Sequence, residues 1–551
     1  MKIRRIIIKN YRSIFHVDIN CNRYLNSFIG ENSVGKSNIF DAINWALGPV
    51  YPSFNSTLPQ DHYMGDTNNL ICIKLFYDNG EYLELAENWQ DQNGNTKSGL
   101  NLSGRYITDL QRQAYCSAYL GVERNILDHL PSNRWSLMGR ILQDINNLFK
   151  EQEMVDETTG EIVKKSDLFK SELEKIRDNV LFTVQDTEGN LVMKQFIELL
   201  QKETAIQLNR PQKDLSIDLN LYDPWNFFRT LQVIVKDSCT NLHFQASRLG
   251  MGVQASISIA VLKAYSQLKL NNNTPLFIDE PELFLHPQAQ RNFYKVLCEL
   301  ANSGTQIFYT THSPNFLNVG RFNEIYVTRK DQTKGTFVNS AHAQRFVDDL
   351  YIRTKIKTDI PNLCLQYRNA YEETGDTQKA NEAFFAKKVI LVEGQSESLT
   401  LPYLFDLIGF DYIACGVTIV RCGSKGEIDR FYRLYVEFGI PCFILFDGDS
   451  SHVGTGDEAS TIEKNRSILS LFQNANDFPD NSVNDGYLGF TETLNDNLGF
   501  ETSAKGLKLF KQVRQRLTTH EQVPKWVVEV KVKVEALAEF KQSVLFRVNQ
   551  D

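Results

Sequence analysis

Long hydrophobic runs are missing from this chain of 551 residues. No apolar stretch approaches the roughly 18 residues that a membrane-spanning helix needs. The first residues, MKIRRIIIKNYRS, also lack the apolar region and the cleavage site of a secretory signal. From these absences we expect a cytoplasmic protein without a membrane partner.

Paired cysteines and an excess of positive charge are missing as well. The 9 cysteines are scattered without a CxxC pair, so we expect neither a disulfide framework nor a zinc site. The 59 Lys and Arg residues are outnumbered by 67 Asp and Glu residues, which gives a net charge of -8. Bulk electrostatic attraction to nucleic acid is thereby excluded, and any contact with DNA has to use local basic patches or metal ions.

The overall composition is typical of a folded protein, with 42% apolar and 23% charged residues. The length suggests about three to five folding units. Apolar runs at 70–76 and 81–86 predict two antiparallel strands, and apolar residues at 3–4 spacing predict amphipathic helices over about 125–205. Strands and helices alternate in the rest of the chain, which predicts an α/β multidomain protein.

A glycine-rich segment, GENSVGKS, lies between an apolar run and a helical segment and matches G-x-x-x-x-G-K-[ST]. In this pattern, backbone N–H groups surround the β-phosphate, the lysine reaches the β- and γ-phosphates, and the serine hydroxyl binds Mg²⁺. The sequence therefore predicts an ATP site. Its predicted ligands are Gly30, Asn32, Gly35, Lys36, Ser37 and Asn38.

Two further apolar runs end in polar residues that such a site needs. The run 276–278 ends in Asp279, predicted to hold Mg²⁺ through water, and Glu280, predicted to polarise the attacking water as general base. The run 307–311 ends at His312. Taken alone, His312 is more simply a loop histidine with ordinary hydrogen bonds, but its position after the acidic strand predicts a sensor of the γ-phosphate.

The segment SRLGMGVQ, residues 247–254, precedes a helix and offers free N–H groups at its N-terminus. Together with the preceding motifs it resembles the signature loop of ABC-class ATPases, although Gly250 stands where serine is usual. In that class the loop of one subunit covers ATP held by another. The resemblance therefore implies a homodimer or higher homo-oligomer in which Gly250 and Gly252 contact nucleotide. The string DEPELFLHP, residues 279–287, resembles the DNA-repair branch of the class.

Acidic residues follow two later apolar runs, at 389–392 and 442–446. Because the carboxyl ends of parallel strands converge on one crevice, these acids should lie close together. Their mutual repulsion calls for divalent metals, and an oxygen-only site selects Mg²⁺ or Mn²⁺. The predicted metal ligands are Glu393, Glu397, Asp447 and Asp449.

A strand followed by Glu-Gly, and a later strand followed by Asp-x-Asp, resemble the Toprim domain of topoisomerases, primases and certain nucleases. A repair-type ABC ATPase followed by Toprim resembles the OLD (overcoming lysogenization defect) family of ATP-dependent endonucleases. The segments 384–394 and 122–124 also look like that family. The resemblance implies an ABC-type P-loop ATPase with a helical insertion, followed by a Rossmann-like Toprim domain. The implied parts are ATPase at 1–124 and 206–365, an insertion supplying dimer contacts at 125–205, a linker at 366–385, and Toprim with its extension at 386–551.

The same resemblance implies roles for the acidic residues. Glu393 and Asp447 would serve catalysis as well as metal binding, and Glu492 is a further candidate acid. The family also uses a basic residue beyond Asp-x-Asp, usually before proline. Lys505 is the nearest match, although Gly506 follows it. A basic stretch at 505–516 is either a track for a phosphate backbone or a solvated helix face.

We therefore expect an ATPase and a DNA endonuclease dependent on Mg²⁺ or Mn²⁺. The resemblance further implies antiphage defence, with a separate partner protein or a retron nucleic acid as an expected partner. One alternative is a recombinational-repair or DNA-clamping ATPase whose Toprim fold is not catalytic. The other is a nicking and rejoining enzyme of topoisomerase type, which would need a nucleophilic tyrosine that the sequence does not identify.

Overall fold

A computed structural model describes most of the chain. The predicted family segment 122–124 and the first signature-loop residue, Ser247, lie outside the residues that it describes. Those residues are 1–48, 50–121, 137–155, 160–208, 211, 223–228, 230–231, 234–236, 243–245, 248–268 and 274–538.

The strands form one large sheet, two short hairpins and a smaller parallel sheet. In chain order they are β1 (Ile3–Tyr11), β2 (Ile14–Asn20), β3 (Leu25–Ile29), β4 (Cys72–Tyr77), β5 (Tyr82–Gln90), β6 (Thr96–Leu102), β7 (Arg105–Tyr106), β8 (Ala118–Leu120), β9 (Glu153–Val155), β10 (Ile162–Lys164), β11 (Ile234–Lys236), β12 (His243–Gln245), β13 (Leu276–Ile278), β14 (Ile307–Thr311), β15 (Ile325–Asp331), β16 (Gly335–Ser340), β17 (Lys388–Val392), β18 (Val417–Arg421), β19 (Cys442–Asp447) and β20 (Tyr487–Phe490).

The helices occupy the intervals between these strands and follow the smaller sheet. In chain order they are α1 (Lys36–Leu47), α2 (Asp109–Arg112), α3 (Leu137–Glu151), α4 (Lys165–Ile176), α5 (Val192–Leu208), α6 (Pro224–Phe228), α7 (Met251–Leu268), α8 (Pro287–Asn302), α9 (Ala343–Thr354), α10 (Ile360–Glu373), α11 (Thr377–Glu382), α12 (Gln395–Leu407), α13 (Lys425–Glu437), α14 (Glu458–Leu469), α15 (Leu494–Leu498), α16 (Leu507–Arg516) and α17 (Lys525–Ala536).

The large sheet has the order β7-β6-β5-β4-β1-β2-β16-β15-β3-β14-β13-β8. One half is antiparallel, and the predicted strand pair at 70–76 and 81–86 is confirmed by the pairing of β4 with β5. In the other half β15, β3, β14, β13 and β8 run parallel. Every residue of β3, β13 and β14 is buried, as in parallel strands covered on both faces. The carboxyl ends of β3, β13 and β14 therefore meet at one edge.

The segment predicted as a helical insertion contains α3, α4 and α5, with the β9–β10 hairpin at the polar stretch between α3 and α4. The apolar stripe of α3 packs largely against other parts of the same chain. Leu142 is 7% exposed, and the ring of Phe149 contacts those of Phe169 and Phe228. On α5, by contrast, Phe196 and Leu199 are 56% and 59% exposed. The exposed apolar surface of this segment thus lies on α5 more than on α3.

The smaller sheet has the order β18-β17-β19-β20 and is parallel throughout. Helices α12, α16 and α17 pack on one face, in a core that includes Leu404, Val513 and Val530. Helices α13 and α14 cover the other face. This is the doubly covered arrangement in which ligands bind at the carboxyl ends of the strands.

The segment 366–385 is more than the polar helical linker that the sequence predicts. Helix α10 begins earlier, at Ile360, and buries Tyr367 and Ala370. Its buried residues belong to the same core as Ile29 of the large sheet and Val389 of the smaller one. Polar residues dominate the segment because they cover its solvent face, while the few apolar residues at helical spacing join the two sheets.

No helix in the described parts of the chain is long and apolar enough to span a membrane.

Candidate nucleotide and nuclease sites

The phosphate-binding segment connects β3 to α1, and its backbone requires glycine at two positions. Gly30 has a φ of 147°, and a Cβ there would lie 2.2 Å from the carbonyl oxygen of Thr328. Gly35 has a φ of 107°, and its Cβ would lie 2.2 Å from Oγ1 of Thr336. Side chains at these positions would therefore collide with the strands beside the loop, which explains why the loop can follow this close path only with glycine.

Lys36 is 5% exposed and folds back on the loop. Its Nζ donates to the carbonyl oxygens of Gly30 and Glu31, each at 2.9 Å. Burial lowers the pKa of Lys36 to about 8, although the acids at 279 and 280 oppose this shift. The ammonium group thus lies inside the loop that the sequence predicts to bind phosphate. Within the same motif, Asn32 and Ser37 are exposed.

Asn38, which the sequence predicts to bind nucleotide, forms a hydrogen bond to another side chain of the protein. Its amide donates to Oγ of Ser13 at 2.7 Å, and that hydroxyl in turn shares a hydrogen bond of 2.7 Å with Oγ1 of Thr336. The contact ties α1 to the strands beneath the phosphate loop. Asn38 therefore positions the loop in this structure, a role that its place in the motif does not reveal.

Asp279 follows β13 and is 3% exposed. Its Oδ1 accepts a hydrogen bond from Oγ1 of Thr310 on the neighbouring β14, and Tyr119 donates to Oδ2 at 3.5 Å. Burial is the main cause that raises the pKa of Asp279, and the negative charge of Glu280 adds to it. Thr310 also accepts from the backbone N–H of Glu280 at 2.9 Å. One threonine thus holds the carboxylate of Asp279 and the backbone of Glu280, and sequence reasoning missed it.

Glu280 and His312 are brought together by the adjacency of β13 and β14. His312 Nε2 lies 3.5 Å from Glu280 Oε1. Burial lowers the pKa of His312, and the nearby Lys36 ammonium acts in the same direction. A neutral imidazole can donate its Nε2–H to the carboxylate, and His312 also lines the cavity beside the phosphate loop.

Glu282 is another residue that sequence reasoning did not assign. It is 9% exposed, and its Oε1 accepts the backbone N–H of His312 at 2.5 Å. Burial raises its pKa. This hydrogen bond fixes the start of the loop that carries His312. In the sequence, only the position of Glu282 in the acidic string at 279–282 could have indicated this role.

The two signature-loop glycines lie at the start of α7. Gly250 precedes the helix and is exposed, while Gly252 lies in its first turn. A Cβ on Gly252 would approach the carbonyl oxygen of Phe284 at 3.1 Å. The predicted loop is therefore a helix start that packs beside the segment following Asp279.

A cavity of about 440 Å³ adjoins the phosphate loop. The residues lining it include Gly30, Asn32 and His312, together with Glu382 and Phe385. The last two belong to the segment between the sheets, which the sequence predicts only as a linker. That segment therefore forms a wall of the nucleotide region.

The second site lies at the carboxyl edge of the smaller sheet. Glu393 directly follows β17, and Asp447 ends the adjacent parallel strand β19. Glu397, in the first turn of α12, accepts the N–H of Gly394 at 2.9 Å. Asp447 accepts the N–H of Leu494 at 2.8 Å. The chain thus gathers three predicted metal ligands at one edge, as the parallel-strand argument requires.

Charge repulsion and burial act together on these acids. Burial raises the pKa of Glu393 to about 7, and the charges of Glu397 and Asp449 contribute. Burial also raises the pKa of Glu397, and it raises that of Asp447 well above its usual value. A cation bound among them would relieve both the desolvation and the repulsion.

No group of three or more His, Cys, Asp or Glu side chains in the described part of the chain is arranged to hold a metal ion as it stands. The donor set nevertheless fits a hard divalent cation. Oε2 of Glu393 is buried without a hydrogen-bond partner, and the surrounding acids supply oxygen donors. Glu393, Glu397 and Asp447 are the residues that would hold such an ion.

Asp449, the fourth predicted ligand, is engaged differently. Its Oδ2 lies 2.5 Å from Nζ of Lys425, a residue that sequence reasoning did not identify. Glu492 also has a partner within the chain, because its carboxylate accepts a hydrogen bond from Oγ of Ser450. The sequence could have indicated Lys425 only through its position shortly after β18, at the same edge of the sheet.

Lys505 is exposed beside the start of α12. The next residue, Gly506, donates its N–H to Oγ of Ser396 at 2.9 Å, and Ser396 lies between Glu393 and Glu397. The structure therefore places the candidate basic residue at the rim of the acidic edge. The rest of the basic stretch continues along α16, where Lys508, Lys511 and Arg514 are exposed.

The fold and the two sites define an ABC-type P-loop ATPase joined to a Toprim domain of nuclease type. Family models agree with this division. The model described as an AAA ATPase domain matches residues 1–86 and 77–317. The model described as the TOPRIM domain of overcoming lysogenization defect protein-like proteins matches residues 384–449. The chain belongs to the OLD nuclease family.

Three relatives illustrate this membership. The OLD nuclease of Thermus scotoductus is 31% identical over 81% of this chain and 82% of its own length. The Old nuclease of Escherichia phage P2 is 25% identical over 82% of this chain and 77% of its own length. The endonuclease GajA of Bacillus cereus strain VD045 is 23% identical over 82% of this chain and 75% of its own length.

A solved SMC head bound to the C-terminal winged-helix domain of ScpA also matches, with a TM-score of 0.38 and 15% identity. It covers 63% of this chain and 100% of the head.

Proposed function

We propose that this protein is an ATP-hydrolysing DNA endonuclease that depends on Mg²⁺ or Mn²⁺. The observation that carries the proposal is the grouping of Glu393, Glu397 and Asp447, all with raised pKa values, at the carboxyl edge of a parallel sheet. A protein without need for a cation there would bear the cost of clustered, desolvated acids for no gain. The relatives named as nucleases support the same reading.

At the nucleotide site, Lys36 would leave its loop carbonyls to contact the β- and γ-phosphates of ATP. Ser37 would hold the accompanying Mg²⁺ directly, and Asp279 would hold it through water. Glu280 accepts the proton of the attacking water at its carboxylate, while His312, held 3.5 Å from Glu280, contacts the γ-phosphate. Asn32 contributes a polar group at the rim of the same cavity.

At the nuclease site, a divalent ion, when bound, polarises the phosphodiester and lowers the pKa of water. Glu393, Glu397 and Asp447 would hold that ion through their oxygens. Lys505, exposed beside α12, offsets the charge that develops on the phosphate. Lys508 and Lys511 continue the positive surface along α16 and contact the DNA backbone.

We further propose a homodimer in which Gly250 and Gly252 of one subunit cover ATP held by the other. The exposed start of α7 supports this arrangement, because free backbone N–H groups at a helix N-terminus bind phosphate. The exposed apolar residues of α5 supply further subunit contacts. Antiphage defence is the role we propose for the complex, with DNA as substrate and a partner protein or retron nucleic acid as a regulator.

The direct test is incubation of supercoiled plasmid with the full-length protein and Mg²⁺ or Mn²⁺, with and without ATP. Linear or fragmented products are expected, and chelation by EDTA should prevent them. Covalently closed relaxed circles would instead support a topoisomerase-type activity. A mobility shift without any cleavage would support an ATPase that clamps DNA, and either of these results would overturn the proposed endonuclease.

A further inference from the structure

Two aromatic side chains, Phe15 and Tyr63, lie together near the phosphate loop. Phe15 belongs to β2 and is 52% exposed. Its ring centroid lies 5.4 Å from that of Tyr63, and the two ring planes are tilted by 50°. Tyr63 is half-buried. More than half of the Phe15 side chain is thus open to solvent, while Tyr63 packs against it.

The turn between β1 and β2 holds this aromatic pair beside the loop. Ser13, in that turn, accepts a hydrogen bond from the amide of Asn38 at 2.7 Å, and its carbonyl oxygen accepts the N–H of Thr336 at 2.8 Å. Oγ1 of Thr336 in turn donates to the carbonyl oxygen of Val34 at 2.7 Å. The turn that leads into Phe15 is therefore bound both to the phosphate loop and to the first turn of α1.

Tyr63 is held against the same turn. The N–H of Arg12 donates to the carbonyl oxygen of Asp61 at 2.8 Å, which fixes the segment that carries Tyr63. The ring of Tyr63 also lies close to Gly335, where a Cβ would be 2.9 Å from Cε2 of the tyrosine. Both rings are therefore placed in advance relative to the phosphate loop, which lowers the entropic cost of binding a ligand there.

The strand order indicates which end of a nucleotide reaches these rings. Around β3 the order is β2-β16-β15-β3-β14-β13. Glu280 and His312, proposed to act at the γ-phosphate, follow β13 and β14 on one side of the loop. Phe15 lies on β2, on the other side. Because a triphosphate extends across the loop from its γ end, the ribose and base would leave the loop on the side of Phe15.

We propose that Phe15 and Tyr63 form a stacking platform for the purine base of ATP. This inference rests on the proposed ATP site and adds the residues that contact the base. Phe15 offers its open ring to the base, and Tyr63 supports that ring. Stacking depends on the ring area of the base more than on the groups at its edge. ATP and GTP should therefore bind more tightly than CTP and UTP.

The test compares the non-hydrolysable β,γ-imido analogue of ATP with inorganic tripolyphosphate, which has the phosphates but lacks the base. Isothermal titration calorimetry on the full-length protein with Mg²⁺ gives both affinities. Phe15→Ala should bind the ATP analogue roughly 5- to 100-fold more weakly, the loss typical of one base–aromatic stack, and tripolyphosphate within about twofold of wild type. Phe15→Trp should bind both ligands like wild type, because it keeps a stacking ring.

Matched variants separate stacking from other effects. Tyr106→Ala removes an aromatic side chain that is 62% exposed on β7, at the far edge of the same sheet, and both affinities should stay unchanged. Tyr63→Ala should weaken binding of the ATP analogue, and Tyr63→Phe should not. Phe15→Leu keeps an apolar side chain without the aromatic ring, and it replaces Phe15→Ala if that variant fails to fold, as judged by circular dichroism.

Unchanged affinity for the ATP analogue in a folded Phe15→Ala or Phe15→Leu would overturn the inference. An equal loss of affinity for tripolyphosphate would also overturn it, because the substitution would then have distorted the phosphate loop. If wild type binds the ATP analogue and Lys36→Ala does not, the proposed ATP site stands in either case and only the role of the two rings fails. A wild type that binds neither ligand would overturn the ATP site itself.

Discussion

Asn381 links the two halves of the molecule through the loop that follows His312. Its Nδ2 donates to the carbonyl oxygens of Pro314 and Leu317, each at 2.9 Å. On the other side, the carbonyl of the preceding Ala380 accepts from the hydroxyl of Tyr435 in α13 at 2.8 Å. The segment between the sheets therefore contacts both the nucleotide region and the helix layer of the nuclease domain.

Asn381→Ala should weaken the influence of ATP on DNA cleavage, because it removes both hydrogen bonds to the loop after His312. ATP changes the cleavage rate by some factor in the wild type, and in the variant this factor should approach one. ATP turnover should stay within about twofold of wild type. Cleavage assays with and without ATP measure this. Asn474→Ala, which removes a contact to Tyr487 within the nuclease domain, is the matched control. An unaltered ATP effect in folded Asn381→Ala would contradict the link.

Glu280→Gln should bind ATP but hydrolyse it slowly. The amide keeps the shape of the side chain and loses the base, which costs roughly 10²–10⁴-fold in rate. Fluorescent-nucleotide binding and phosphate release measure the two properties. Lys36→Ala, which removes the cation of the phosphate loop, should instead lose ATP binding and turnover together. Turnover at the wild-type rate in Glu280→Gln would show that another group is the base.

Asp447→Ala should abolish DNA cleavage and spare ATP turnover, because the two sets of acids lie at the edges of different sheets. Removing one carboxylate leaves too few charges to hold the divalent ion, and a loss of several orders of magnitude is expected. One preparation, shown to be folded by circular dichroism, is assayed for both activities. Retained cleavage would refute the site, and loss of both activities in a folded protein would refute their independence.

Phe196→Glu combined with Leu199→Glu should lower the oligomeric mass without unfolding the protein. Both side chains are more than half exposed on α5, and charges there would oppose burial against a second subunit. Light scattering gives the mass. Leu142→Glu is the contrasting variant, since it places a charge at a position only 7% exposed and should lower the thermal midpoint instead. Native mass in the α5 double variant would exclude this face as a subunit contact.

Glu437 should make stability depend on pH. Its side chain is 2% exposed and lies 3.4 Å from Arg345, and burial raises its pKa from 4.5 to about 7 despite that arginine. The folded state therefore favours the protonated acid. Its stabilising contribution is complete below about pH 4.5 and is lost as the pH rises through about 7. Urea unfolding at pH 5 and pH 8 should show a smaller loss in Glu437→Gln than in wild type, and equal losses would contradict the shift.

Much of both sites could be predicted from the sequence because their motifs are local. Gly30 to Ser37 are contiguous, and the positive φ values at Gly30 and Gly35, which other residues rarely adopt, explain why the pattern is so specific. Asp279 and Glu393 each end an apolar run, and the parallel sheets bring those ends together. The two apolar runs at 70–76 and 81–86 likewise predicted the β4–β5 pair. In each case, neighbouring residues carry enough information to indicate the chemistry.

Only the tertiary structure determines which residues contact those motifs. Thr310 meets Asp279 only because β14 pairs with β13. Lys425 reaches Asp449 only because α13 crosses from β18 toward β19. The helices before β17 look polar in the sequence, yet they share one core with both sheets and form a wall of the nucleotide cavity. Such contacts depend on strand order and on packing between domains, and neither is encoded by the spacing of residues along a single segment.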